Sequence, residues 1–307
     1  MKRTDQARIT ALSDGLKRFE KRKPLPGIAN KDARSSLIAQ LVESIRRIDY
    51  IKAIRQRPIS RERCKPGDLF DPHKAALLKA ADGDLDEAFW LTFLSVHFGK
   101  HRRKKWMVTR LIYGAFTDEP YWTWKRTSKD PAAFRRWLKQ HESKLKGIGF
   151  GNHRKYQSLS GTSPTGTGAA FQSYIDWVQA NGGHDQLIAS AIKEAKGDPK
   201  AAFDFLYESM KSVTSFGRMG RFDYLTMISK LGLAEIEAAS TYRDGATGPF
   251  AGACLLFGGS TSRRFSRNEL EEWLIKFGEE LNVGMQVVED ALCNWQKSPN
   301  KFKAFRG

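Results

Sequence analysis

The sequence predicts an all-α protein, a multi-helix bundle with few or no strands. Apolar residues recur at the three- and four-residue spacing of a helix, whereas the alternating pattern of a half-buried strand is scarce. Aspartate followed by proline is typical of a helix start, and it occurs at Asp71-Pro72, Asp130-Pro131 and Asp198-Pro199. We therefore expect helices packed on helices around an apolar core.

Capping signals predict the first helices. Residues 1–23 are basic and polar, and they predict an arm or helix that ends before a proline-rich hinge. Asp32 is expected to cap a helix running to about Ile54, because its carboxylate can accept hydrogen bonds from first-turn amides. Asp71-Pro72 then starts a short helix, and Asp84 opens the next one.

The stretch Phe89–Trp106 is central to the prediction. Its first half is apolar on nearly every side, and its second half is cationic. We expect one helix that continues to Phe116. One stripe of this helix would carry Trp90, Phe93, Leu94, His97, His101 and Lys104. Such a helix would form the floor of an anion-binding cleft. The alternative is a core helix that surfaces, with its histidines bonded to backbone and its cations solvated.

Residues 147–168 are rich in glycine, serine and threonine. They match no standard phosphate-loop motif, but they lead into a helix predicted over 169–178, whose free N-terminal amides would favour phosphate. Polar and cationic side chains lie just upstream, at Asn152, His153, Arg154 and Lys155. The alternative is an ordinary loop.

Aromatic residues also lie beside cations in the helix that starts at Pro131. Phe134 and Trp137 lie on its apolar face, next to Arg135 and Arg136. We interpret both aromatic residues as core. The alternative is that they are exposed and stack on unpaired bases.

Two arginines and an aspartate interrupt the apolar stretch 216–225. If Arg218 and Arg221 lie on a buried helix, their guanidinium groups need partners: Asp223 for one and a ligand anion for the other. The alternative is a structural Arg–Asp pair between two helices.

The C-terminal half contains further helical patterns. His184 follows two glycines and is expected in a turn or on the surface. Residues 245–259 are small and apolar, so another helix can approach closely. They resemble the hairpin of helix–hairpin–helix DNA modules, without the usual glycine spacing. An amphipathic helix and a shorter one are predicted within residues 266–295.

The charge of the chain favours a polyanionic partner. The formal net charge is +18, and residues 1–155 alone hold 36 Lys and Arg against 17 Asp and Glu. Nucleic acid is favoured over a membrane, because no stretch approaches about 18 apolar residues. The spacing of Cys64, Cys254 and Cys293 and the lack of an apolar leader predict buried free thiols in a reducing cytoplasm.

Four segments, taken together and in order, carry a resemblance to one family. They are FW-TFLSVHFGKH (89–101), FGNHRKY (150–156), FGR-GRFDYL (216–225) and ATGP-AGA-LLFGG (246–259). The chain resembles the α-glutamyl/putrescinyl-thymine pyrophosphorylases, also called amino-acid:DNA transferases, and most of all their third clade. That family is similar to helical DNA glycosylases, so the resemblance implies a DNA-glycosylase-like helical bundle.

The resemblance implies hypermodification of thymine in DNA. In phage members, 5-hydroxymethyluracil is pyrophosphorylated, and an amine such as an amino acid or putrescine then displaces the pyrophosphate. The base would have to leave the stack to be enclosed. The implied partners are DNA containing a modified pyrimidine and a small amine or amino acid, with no membrane.

Several residues suit this chemistry. Asp223 is the predicted base or amine anchor, and His97 and His101 are predicted pyrophosphate or acid–base groups. The predicted pyrophosphate or DNA-phosphate ligands are Lys100, Asn152, His153, Arg154, Lys155, Arg218 and Arg221. No cofactor and no protein-bound metal is expected. Whether Mg²⁺ accompanies the pyrophosphate stays open.

Other functional classes remain open. A DNA glycosylase-like enzyme would leave abasic sites, and a non-catalytic DNA-binding protein would lose affinity steeply with salt. We divide the chain into a basic arm and helix (1–65), a catalytic helical domain (66–265) and C-terminal helices packed on the core (266–307).

Overall fold

The computed structural model describes residues 3–118, 120–151, 157–242, 247–263 and 265–304. Within these ranges every regular element is a helix, and β-type pairing is limited to an isolated bridge between His101 and Lys105. The all-α prediction is confirmed. Across the same ranges, no helix is both long enough and apolar enough to span a bilayer.

The α-helices of the described ranges vary widely in length. They are α1 (Arg3–Glu20), α2 (Lys31–Arg55), α3 (Pro72–Ala81), α4 (Leu85–Phe98), α5 (Met107–Tyr113), α6 (Trp124–Lys129), α7 (Pro131–His141), α8 (Thr167–Ala180), α9 (His184–Glu194), α10 (Pro199–Ser209), α11 (Arg218–Leu231), α12 (Gly248–Gly258), α13 (Arg267–Leu281) and α14 (Met285–Trp295).

Aspartate caps set all but one of the helix starts predicted from an aspartate. The exception is α2, which begins at Lys31, and there the side-chain oxygen of Asn30 accepts from the amide of Asp32 at 2.7 Å, so the prediction of Asp32 as the cap was wrong. Side-chain oxygens of Asp71, Asp84, Asp130 and Asp198 each accept a hydrogen bond from backbone amides in the first turn of the helix that follows. These caps satisfy amides that have no partner within the helix. The predicted starts of α3, α4, α7 and α10 are therefore confirmed.

The chain forms two compact units. The terminal unit contains Met1–Ile51 and Glu237–Arg306, and the central unit contains Lys52–Ile236. These units differ from the functional division at residues 65 and 265, which stays a prediction.

In the terminal unit, small residues allow helices α12 and α14 to touch. A Cβ atom added at Gly252 would lie 2.5 Å from the carbonyl oxygen of Leu292. Trp295 of α14 is fully buried, and its indole N–H donates to the carbonyl of Ala33 at 3.2 Å. The predicted close approach is confirmed, whereas the likeness to a helix–hairpin–helix module stays a prediction.

The central unit is built around α4. This helix is buried continuously from Glu87 to Phe98, and α3, α5, α6, α9 and α11 all pack against it. The ring of Phe93 stacks on Tyr174 with centroids 3.8 Å apart. A helix apolar on nearly every side is thus enclosed on every side.

The prediction of one helix from Phe89 through Trp106 to Phe116 was wrong. Helix α4 ends at Phe98, and Gly99 has φ 68° and ψ 161°, a conformation nearly restricted to glycine. His101 and Lys105 then exchange two backbone hydrogen bonds, of 2.9 and 2.8 Å, and close a tight turn. Successive cations repel one another, which also disfavours a helix here. Because α4 ends at Phe98, His97 and His101 share no helix face.

A buried carboxylate lies near the start of α4. Glu87 accepts hydrogen bonds from the hydroxyl of Tyr113 at 2.8 Å and from the backbone amide of Trp124 at 2.7 Å. Burial raises the pKa of Glu87 to about 7, despite these two hydrogen bonds.

A second polar chain links α4, α8, α9 and α11. His184 Nδ1 donates to Asp86 at 2.5 Å, His184 Nε2 accepts from the Tyr174 hydroxyl at 2.9 Å, and the Tyr224 hydroxyl lies 2.8 Å from that of Tyr174. Burial lowers the pKa of His184 and outweighs the opposing effect of Asp86. The expectation of a surface position for His184 was wrong, because the two glycines turn its ring into the core, where it is 1% exposed.

The stability of the protein should depend on pH through Glu87. Its folded pKa of about 7 exceeds the ordinary 4.5, so the folded state binds more protons between these values. Stability should therefore fall as pH rises through this window and level off above it. As pH rises through the window, the free energy of unfolding of Glu87→Gln should increase relative to that of wild type by roughly 1–3 kcal/mol. Urea unfolding at a series of pH values measures this difference. All other titratable groups are common to both proteins and cancel, so a difference that does not change with pH would contradict the role of Glu87.

Candidate functional site

Three of the four family-like segments meet at the end of α4. The ring centroid of His97 lies 5.5 Å from that of Phe150 and 6.0 Å from that of Phe216. We call this region, residues 97–101, 149–151 and 216–225, the motif junction. It lies in the central unit, whereas the fourth segment includes α12 of the terminal unit.

Two glycines allow the backbones of the motif junction to touch. The amide of Gly151 donates to the carbonyl of Phe98 at 2.7 Å. A Cβ atom on Gly151 would lie 2.5 Å from the carbonyl carbon of Lys100, and one on Gly99 would lie 2.7 Å from the carbonyl oxygen of Gly151. Real Cβ atoms essentially never come this close, so both positions require glycine.

His97 lies inside the aromatic core. Its side chain is fully buried, and its Nε2 lies 3.0 Å from the hydroxyl oxygen of Thr167. That hydroxyl donates its single proton to the carbonyl of Ser158 at 2.9 Å, so Nε2 is the donor to Thr167. His97 thereby links α4 to the start of α8, and its predicted acid–base role stays a prediction.

His101 holds the turn that follows α4. Its Nδ1 accepts hydrogen bonds from the amides of Arg103 at 3.2 Å and Lys104 at 3.0 Å. In the neutral ring the proton must then be on Nε2, which makes this partly exposed imidazole a hydrogen-bond donor. Such a donor suits a phosphate oxygen better than it suits proton abstraction.

Lys100 lies beside a pair of aromatic rings. Its Nζ is 5.4 Å from the ring of Trp106, and that ring lies 4.9 Å from His73. Burial lowers the pKa of His73 to about 4; Lys230 and Lys100 lower it further, and Asp71 opposes them. The lowered pKa keeps this imidazole neutral at neutral pH, with one carboxylate and two ammonium groups acting on it from its surroundings. Sequence reasoning missed His73 and Lys230, because only the packing brings His73 within the electrostatic influence of Lys100 and Lys230.

In α11, the structure places Arg221 against α10. Its guanidinium donates to the carbonyl of Tyr207 at 2.9 Å and lies 4.1 Å from that residue's ring centroid. Arg218 is the first residue of the same helix, and it and Asp223 are both partly exposed. The structure thus places all three predicted residues on one helix of the motif junction.

The loop before α8 uses its own carbonyls to satisfy the helix start. The amides of Thr167 and Gly168 donate to the carbonyls of Ser158 at 2.9 Å and Ser160 at 3.0 Å. These two amides are therefore already paired within the loop. The predicted ligands Asn152, His153, Arg154 and Lys155 lie outside the described residues.

The cysteines and metal-type side chains are dispersed. No two cysteines form a disulfide in the part of the chain that the structure describes. Only Cys254 is buried, so the prediction of three buried thiols was wrong for Cys64 and Cys293. Within the described ranges, no three His, Cys, Asp or Glu side chains cluster closely enough to hold a metal ion.

The fold and the motif junction define a class: an all-α protein with imidazole and cationic groups fixed beside a buried helix. The model for the family "Alpha-glutamyl/putrescinyl thymine pyrophosphorylase clade 3" matches residues 32–307, and the chain belongs to this family. No curated protein or solved structure is similar enough to match the chain. The suspected family and clade are confirmed, and the likeness to DNA glycosylases stays a prediction.

The motif junction should tolerate no side chain at position 99. Gly99→Ala should lower the free energy of unfolding by about 1–3 kcal/mol or more, because it adds both backbone strain and a clash with Gly151. Gly149→Ala is the matched control, since no atom lies within 4 Å of an added Cβ there. Urea unfolding midpoints measure both effects. Equal midpoints for the two variants would show that the backbone contact is dispensable.

Proposed function

We propose that this protein displaces pyrophosphate from pyrophosphorylated 5-hydroxymethyluracil in DNA, using an amine or amino acid as the nucleophile. The observation that carries the proposal is the family match over residues 32–307. The convergence of three family-like segments on the motif junction supports it. The excess of Lys and Arg in residues 1–155 suits a DNA substrate.

The proposed reaction is a substitution at the methylene carbon attached to C5 of the pyrimidine. The lone pair of a neutral amine forms the new C–N bond, and the bonding pair of the C–O bond leaves with the pyrophosphate. The resulting ammonium then gives up one proton to a base. Because negative charge develops on the leaving group, fixed donors and cations beside it would lower the barrier.

Residues of the motif junction supply these roles in the proposal. Lys100 and the Nε2–H of His101 bind the pyrophosphate from adjacent positions in one turn, and Arg218 adds charge from α11. Asp223 takes the proton or anchors the amine. His97 keeps the start of α8 attached to α4 through Thr167.

Nucleoside mass spectrometry tests the reaction. The protein is incubated with DNA carrying pyrophosphorylated 5-hydroxymethyluracil and a mixture of amines, and the DNA is then digested to nucleosides. A new nucleoside with the mass of an amine adduct, together with released pyrophosphate, is the expected result. Abasic sites would instead indicate a glycosylase, and unchanged nucleosides with salt-sensitive binding would indicate a DNA-binding protein.

Replacement of Asp223 tests its proposed role as base or anchor. Asp223→Asn should slow transfer by about 10²-fold or more, because the amide can no longer take up a proton or pair with an ammonium. Asp176→Asn is the matched control: it changes an exposed aspartate of the same unit. Initial rates of adduct formation measure both variants. Equal rates for wild type and Asp223→Asn would remove Asp223 from the mechanism.

A further inference from the structure

Three partly exposed aromatic rings meet on the surface of the central unit. One of them is Trp137, so the interpretation of this residue as core was wrong, whereas Phe134 is fully buried as predicted. The ring centroids of Trp137 and His141 are 4.9 Å apart, those of Phe116 and His141 are 5.4 Å apart, and those of Phe116 and Trp137 are 5.6 Å apart. We call Phe116, Trp137 and His141 the aromatic ledge. The proposed reaction makes no use of these side chains.

The aromatic ledge rests on buried rings that lead to the motif junction. Trp137 contacts the buried Phe134, with centroids 5.9 Å apart, and Phe134 stacks on Phe171 at 4.5 Å. Phe171 in turn lies 5.5 Å from His97. A continuous series of ring contacts therefore fixes the ledge with respect to the end of α4.

The turn that carries Phe116 has a strained backbone. Ala115, Phe116 and Thr117 have φ values of 49°, 64° and 82°, three successive non-glycine residues in the left-handed region. This region is costly for L-residues, above all for a β-branched one such as threonine. Such strain persists where the surroundings enforce it, and it concentrates at functional sites. Ala115 is buried and anchors the turn, which presents the Phe116 ring to the surface.

The aromatic ledge has a cation beside it, in a segment that is basic overall. Lys144 Nζ lies 5.3 Å from the centroid of the Phe116 ring. The segment 135–146 contains five Lys and Arg residues against Glu142 alone. Half-exposed rings beside cations are typical of proteins that bind single-stranded nucleic acid, where bases stack and phosphates pair with the cations.

We propose that the aromatic ledge stacks an unpaired base of single-stranded DNA, with Lys144 beside the neighbouring phosphate. A duplex does not offer the faces of its internal bases, which are already stacked on one another, so an unpaired strand is the fitting partner. The choice of DNA over RNA rests on the proposed function; the stacking itself requires only an unpaired base.

Fluorescence anisotropy with a labelled oligothymidylate tests the ledge. Phe116→Ala and Trp137→Leu should each weaken binding about five- to hundredfold, the range of one lost stacking contact, and leave the salt dependence unchanged. Lys144→Gln should instead reduce the slope of log affinity against log salt by about one unit. Phe205→Ala is the control: it removes an exposed aromatic ring elsewhere in the central unit and should change neither quantity.

Further measurements separate stacking from folding and from catalysis. Phe116→Leu keeps an apolar side chain but has no π face, so it should weaken binding like Phe116→Ala while urea unfolding stays near wild type. Wild-type affinity in all ledge variants would overturn the proposal, as would tighter binding of a matched duplex or of oligouridylate. If the wild-type protein transfers no amine but the ledge variants still lose affinity for the oligonucleotide, the ledge is supported and the proposed reaction is rejected.

Discussion

The burial of α4 from Glu87 to Phe98 is the constraint on which the central unit depends. A helix enclosed on every side can carry polar side chains only where each finds a partner. Glu87 meets a hydroxyl and an amide, the indole of Trp90 donates to the carbonyl of Trp122 at 2.9 Å, and His97 bonds to Thr167. Together these contacts attach three parts of the chain to α4: helix α5, the segment 122–124 at the start of α6, and the start of α8.

The end of α4 determines where charge can be placed. Gly99 stops the helix at the point where the backbone of Gly151 passes over it, and the cationic residues that follow emerge in a tight turn. Lys100 and His101 therefore combine an exposed position with a rigid backbone. In the proposed reaction, donors held on such a backbone would stabilise the developing negative charge with little reorganisation.

The interior also joins distant parts of the central unit through polar and aromatic contacts. The chain from Asp86 through His184 and Tyr174 to Tyr224 links four helices, and burial keeps its imidazole neutral near neutral pH. Ring contacts extend separately from Phe171 out to Trp137 and the surface. The motif junction is thus supported from several directions by groups that do not themselves carry the proposed chemistry.

The sequence by itself determined the helical class, the helix starts at Asp71, Asp84, Asp130 and Asp198, and the family. These depend on contacts within a few residues or on order along the chain. The tertiary structure decided what depends on distant partners. Gly99 meets Gly151 across about fifty residues, and His184 meets Asp86 across nearly a hundred. Periodicity could not reveal that α4 ends at Phe98, because the pattern records which face is apolar and not which backbone passes against it.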